Sequence, residues 1–166
     1  MRLPIRALPV FSLRSEGSYG VGDFGDLRLM IDWVAYTGQR VLQILPINDT
    51  TVTHTWKDSY PYSCISIFAL HPQYADFRQL PALKDKKKAA EFEALREELN
   101  ALKQIDYERV NKAKREYLRL IFAQEGQKVL ASTEFKRWFA EEQHWLVPYA
   151  QYCVLRDING TADFSQ

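Results

Sequence analysis

Apolar residues follow two spacings along this chain, and the change falls near residue 80. Before it they come in short unbroken runs, separated by glycine, proline and polar residues; after it they recur every three or four positions. Residues 7–11 (ALPVF) form the first run and predict a buried strand. A loop with Gly17, Gly20, Gly22 and Gly25 follows, and Asp26 is placed to cap a helix. Leu27, Met30, Ile31 and Val34 give that helix one apolar stripe, and Gly38 supplies its stop. Residues 41–45 (VLQIL) predict a second strand, closed by Pro46. Strand, helix and strand at this spacing make a βαβ unit with parallel strands and a right-handed crossover.

The polar stretch 47–61 then lies at the C-terminal end of the second strand, where parallel α/β folds bind ligands. Residues 63–72 (SCISIFALHP) fit an extended segment or a short helix. Beyond Pro81, Phe92, Leu95, Leu99 and Leu102 share one helical face. Asp106 caps a second helix with the stripe Tyr107, Val110, Lys114, Tyr117, Leu118 and Ile121, and Gly126 ends it. Ser132 or Thr133 caps a short helix carrying Phe135, Trp138 and Phe139. A last helix enters near Pro148 and stops at Gly160. Residues 1–80 and 81–166 therefore read as two units, the second a helical insertion with no repeating βα series.

Composition narrows the functions. With 46% hydrophobic residues over 166, the chain has material for a core. A net charge of +1 gives no reason to expect nucleic acid, and the basic run 84–88 (KDKKK) reads as a solvated helix start. Cys64 and Cys153 stand far apart and suit neither a disulfide framework nor a zinc site; they read as small buried residues of a reducing compartment. No apolar run approaches the ~20 residues of a membrane span. Pro4, Arg6 and Pro9 interrupt any signal-peptide core, so the reading is cytoplasmic, with no membrane partner.

Several motifs carry candidate chemistry. Residues 20–26 (GVGDFGD) lack the phosphate-loop spacing, and Asp23 and Asp26 would repel an anion, which favours a tight turn with a helix cap. His54 and His71 have no acidic or cysteine partners at ligand spacing, so no metal and no cofactor are expected. His144, beside Trp145, reads as a surface or packing residue. Asp49 and Asp58 share the polar loop and could each touch a sugar hydroxyl. They do not make the carboxylate pair that glycosidic chemistry requires, so the catalytic set is empty. Residues 58–63 (DSYPYS) are the most suggestive. Aromatic faces pack on sugar rings, Asp and Ser pair with hydroxyls, and Pro61 stiffens the loop.

LPVFSLRSE (8–16), GVGDFGD (20–26), GQRVLQILPINDT (38–50) and DSYPYSCISIFALHP (58–72) together resemble the opening of the amylomaltase family of 4-α-glucanotransferases. INDT and DSYPYS are similar to the branch of the plant cytosolic disproportionating enzyme, as are DYERV (106–110) and LRDINGTADFS (155–165). The resemblance implies the start of a (β/α)8 barrel over residues 1–80 and a mainly helical insertion over residues 81–166. It also implies transfer of α-1,4-glucan segments between glucans or maltooligosaccharides by a retaining double displacement, with the catalytic carboxylates on later strands. The site residues it carries over are Asp58, Ser59 and Tyr62, as substrate contacts. The chain alone is then expected to be inactive. Its exposed strand edges are expected to produce self-association, or else a partly disordered first half beside an intact helical half. The reading from another class is a free-standing glucan-binding or interaction module.

Overall fold

The structure, a computed structural model, describes residues 5–163 and Ser165. Strand β1 (Ile5–Leu8) pairs in parallel with β2 (Val41–Ile44), Ile5 lying opposite Val41 and Leu8 opposite Ile44. Helix α1 (Phe24–Tyr36) connects them and packs against β2. This βαβ unit is the repeating step of a (β/α)8 barrel, and a mainly helical second half follows it: α2 (Lys86–Ala101), α3 (Tyr107–Ala131) and α4 (Thr133–Asn159).

Local chemistry moves several boundaries from their expected places. The first strand ends at Leu8 rather than running to Phe11. Pro9 has no N–H for a ladder, and its carbonyl instead accepts from the Ser12 amide at 3.1 Å and hydroxyl at 2.8 Å, closing a 3-10 turn over Val10–Ser12. The N-cap of α1 is Asp23, not Asp26. One Asp23 oxygen accepts from the amides of Gly25 and Asp26, while the Asp26 carboxylate accepts from the Asp23 amide, a reciprocal capping box. Of the α1 stripe, Val34 is buried and Leu27 and Met30 half-buried, but Ile31 is 49% exposed. Gly38 follows α1 at φ +70°, as its placement predicted.

Two expected helix ends are absent. Gly126 sits inside α3 because the Phe122 ring lies where its side chain would be: a Cβ there would come within 2.9 Å of it. Pro148 lies within a single α4 of 27 residues that begins at the Ser132 cap, so no new helix starts there. The proline cannot donate to the His144 carbonyl. Both residues are exposed, so water can take the lost bond. Cys64 is exposed and Cys153 half-buried, so neither occupies the core position expected of it.

The core joins the two halves of the chain. Tyr19 and Val21, from the glycine-rich loop, pack with Phe92 and Leu99 of α2 and Val110 and Ala113 of α3. Gly20, at φ +74°, lets α2 approach: a Cβ there would stand 2.8 Å from the Leu99 Cβ. Beside this core lies a buried polar network. Arg78 pairs with Asp23 at 2.6 Å and with Asp76 at 2.6 Å, and Asp26 accepts from Ser18 at 2.7 Å. Lys114, in the α3 stripe, is 1% exposed; its ammonium donates to the carbonyls of Gln73 at 2.6 Å and Ala75 at 2.9 Å. It stands 3.9 Å from Asp23. Burial pushes Asp23 up and Lys114 down to about 8, against their mutual attraction.

Stability should report this burial. Between the folded Lys114 value of about 8 and the ordinary 10.5, the unfolded chain holds a proton that the folded one has released. The Lys114 contribution therefore makes stability rise with pH across that window. The Cys153 thiol, raised by burial, pulls the other way, so the comparison with Lys114→Met isolates the lysine. In urea unfolding we expect Lys114→Met to cost about 3 kcal/mol near neutral pH, and the gap from wild type to widen between pH 8 and about 9.5. A gap constant with pH would show that Lys114 titrates normally.

Candidate functional site

The loop after β2 is shaped by its own backbone. Asn48 and Leu70 form an antiparallel bridge. The Asp49 amide donates to the Ala69 carbonyl at 2.9 Å, the His71 amide to Ile47 at 2.9 Å, and the Ile65 amide to Asp49 at 2.8 Å. Residues 63–72, open between strand and helix in the sequence, thus run back beside the end of β2 as bends and a single bridge, with His71 capping a 3-10 turn that starts at Pro72. The base of the loop is closed, and its tip at residues 51–62 projects.

Two buried carboxylates hold the tip. Asp58 is 6% exposed and turned inward: its oxygens accept from the Thr53 amide at 3.0 and 3.1 Å and from the His54 amide at 2.6 Å. Asp49, 2% exposed, accepts from the Thr51 amide at 2.9 Å, the Thr51 hydroxyl at 2.6 Å and the Tyr149 hydroxyl at 2.5 Å. His71 stands behind Asp49 at 4.0 Å. Its Nδ1 accepts from the Gln73 amide at 3.1 Å, which leaves the ring proton on Nε2, and burial lowers its pKa although Asp49 and Asp58 oppose the shift.

The helices grip the same loop from outside. In α4, Arg156 donates to the Thr51 carbonyl, and Asp157 accepts from His54 Nε2 at 2.8 Å. In α3, Arg115 donates to His54 Nδ1, and Glu108 accepts from the Trp56 amide at 3.1 Å. His54 therefore has an acidic partner, contrary to expectation, but one lying 103 residues downstream. His144 packs edge-on against Phe68 at 6.0 Å, and Phe68 stacks on Trp145 at 5.4 Å. Among the described residues, no three His, Cys, Asp or Glu side chains gather closely enough to hold a metal ion.

The three sequence-derived site residues lie on one short stretch but differ in setting. Asp58 faces into the loop, Ser59 is half-exposed at the end of a 3-10 turn (Trp56–Ser59), and Tyr62 is exposed. Tyr60 joins Tyr62, their ring centres 5.5 Å apart and inclined at 56°. With Trp56 they place three exposed aromatic side chains on the projecting tip. Aromatic faces beside hydroxyl groups suit the alternating apolar faces and hydroxyl rims of sugar rings.

The sequence model of the family described as 4-alpha-glucanotransferase matches residues 8–166. The chain belongs to the 4-alpha-glucanotransferase family. It is 44% identical over 160 residues to 4-alpha-glucanotransferase DPE2 of Oryza sativa subsp. japonica, covering 96% of this chain and 17% of the rice protein. It is 39% identical over 153 residues to the 4-alpha-glucanotransferase of Chlamydia trachomatis, and 34% identical over 151 residues to that of Chlamydia muridarum. Each of these covers 90% of this chain and 28% of the relative. The chain thus spans between a sixth and three tenths of the length of these relatives of the 4-alpha-glucanotransferase family.

Sequence reasoning identified the aromatic stretch but missed the residues that hold it: Tyr149, Arg156, Asp157 and Arg115. Their spacing from the loop follows no local rule, so only the folded arrangement joins them. Tyr149→Phe tests the grip with little change of volume. It leaves a buried Asp49 oxygen without its donor, and we expect a loss of about 1–3 kcal/mol in urea unfolding. An unchanged midpoint would mean that water replaces the phenol and that the contact holds nothing.

Proposed function

We propose that residues 58–62 form part of the glucan-binding surface of a 4-α-glucanotransferase that transfers α-1,4-glucan segments between maltooligosaccharides or glucans. The reading rests on family membership together with one observation, the projecting loop tip that carries Trp56, Tyr60 and Tyr62 on a buried, hydrogen-bonded base. A rigid base lets exposed rings meet a sugar without first being ordered, and the cost of ordering a loop is a main charge against binding.

Within this reading Tyr62 contacts sugar beside the bond that is exchanged, and Ser59 supplies a hydroxyl partner. Asp58 acts on substrate through the loop conformation that its carboxylate holds. The reaction proceeds with retention by double displacement, which needs a nucleophilic carboxylate and an acid/base carboxylate about 5–5.5 Å apart. Asp49 and Asp58 are each buried and engaged within the loop, and neither is assigned to that pair. The catalytic carboxylates then come from parts of the enzyme outside these 166 residues, and the reaction takes place in the cytoplasm without a cofactor. No helix among the described residues is long and apolar enough to cross a membrane.

In the full-length enzyme, Tyr62→Ala should lower kcat/KM for maltooligosaccharide transfer by a factor worth about 2–4 kcal/mol of transition-state stabilisation. An unchanged kcat/KM would remove Tyr62 from the site. The 166-residue chain alone should release no glucose from maltotriose above a blank. Release that is abolished by mutating a residue of this chain would place the catalytic groups within it.

A further inference from the structure

Between the loop and the ends of α3 and α4 lies a cleft of about 320 Å³, lined by Thr53, His54, Arg115, Arg156, Asp157 and Gly160. Two features of it bear on what it could hold. His54 sits at φ +58°, a left-handed conformation that costs a non-glycine residue on the order of 1 kcal/mol and is found where a side chain must be aimed. Arg115, half-buried beside it, has no carboxylate at ion-pair distance among the described residues; its guanidinium meets the Nδ1 of His54 instead.

The charges around the cleft do not cancel. Asp157, its acidic lining residue, is engaged by Arg156 at 2.8 Å and by His54 at 2.8 Å. Asp58, behind the loop, is occupied by the backbone amides of Thr53 and His54. Burial disfavours the charged form of Arg115; Asp157 and, more weakly, Asp58 favour it, while Arg119, one turn along α3, and Arg156 oppose it. A guanidinium partly withdrawn from water with no carboxylate at ion-pair distance keeps capacity for a further anion. Arg115 lines the cleft, and the planar donor fork of a guanidinium matches the oxygens of a phosphate group.

We propose that this cleft is a phosphate-binding site, with Arg115 as the principal donor and His54 and Thr53 as flanking polar contacts. The ligand is inorganic phosphate or the phosphate group of a small sugar phosphate, both of which present the same tetrahedral oxyanion. Because the same loop carries Tyr60 and Tyr62, an anion here would bear on the segment that meets glucan; phosphate binding itself does not depend on that role.

The protein has three histidines, so their ring resonances can be followed individually by NMR while the full chain is titrated at constant ionic strength. Inorganic phosphate, hexose 1-phosphate and neutral hexose are the three probes. The His54 ring should shift saturably with both phosphates and not with the neutral sugar, while His71 and His144 stay unmoved. Arg115→Met should weaken the response by about tenfold or more, whereas Arg109→Met, on the exposed surface of the same helix, should leave it within about twofold. Hexose 1-phosphate binding about tenfold tighter than inorganic phosphate would identify a sugar phosphate as the ligand, and equal binding would identify the free anion. Should Arg115→Met fail to fold, the wild-type titration still decides by the selectivity for His54. No saturable shift, an equal response at all three histidines, or a response indifferent to Arg115 would mean an adventitious ion only and would overturn the proposal.

Discussion

One buried ammonium sets the arrangement of the chain. Lys114 leaves α3 and enters a space without water, so it must find its acceptors in the protein. It finds them in the carbonyls of Gln73 and Ala75, on the segment that returns from the loop, with Asp23 at the start of α1 close by. Three parts of the chain distant in sequence are thereby held at one point. The helix cap, the Arg78 ion pairs and the aromatic contact of Phe77 with Tyr117, 4.2 Å between ring centres, gather around it. An apolar side chain at this position would pack, but it would not tell the returning segment where to stop.

From that fixed point the loop is carried outward in stages. The backbone bridge at Asn48 closes its base, Asp49 and Asp58 fold its tip, and α3 and α4 hold the tip from the side. Charge is used inward and aromatic surface outward. The acidic groups, which first suggest sugar contacts, shape the loop, while the exposed rings face solvent.

Much of the fold was legible because it follows local rules. The α1 stripe with Gly38 behind it, the second strand, the caps at Asp106 and Ser132 and the stop at Gly160 all depend on residues a few positions apart. Asp23 and Asp26 illustrate the limit of such rules: both belong to the cap, and spacing alone does not say which is the N-cap and which reaches back. Gly126 and Pro148 read as breaks because each weakens a helix locally, yet α3 and α4 continue through them. Lys114 fits the apolar stripe by position and contradicts it by chemistry; position prevailed. At the site the aromatic residues were legible as a cluster. Their supports were not, because Tyr149 meets Asp49 and Asp157 meets His54 across about a hundred residues.

That same separation has a consequence for how the protein is made. The loop leaves the ribosome long before the residues that fasten it, and 103 positions part His54 from Asp157. At a synthesis rate of about 5–20 residues per second, the wait is roughly 5–20 s. During that interval Trp56, Tyr60 and Tyr62 are exposed on a segment whose tip is not yet anchored by α4. Over that interval the segment is open to chaperones and proteases as a loose chain; the rings stay exposed after folding, so what the arrival of α4 ends is the freedom of the backbone that carries them.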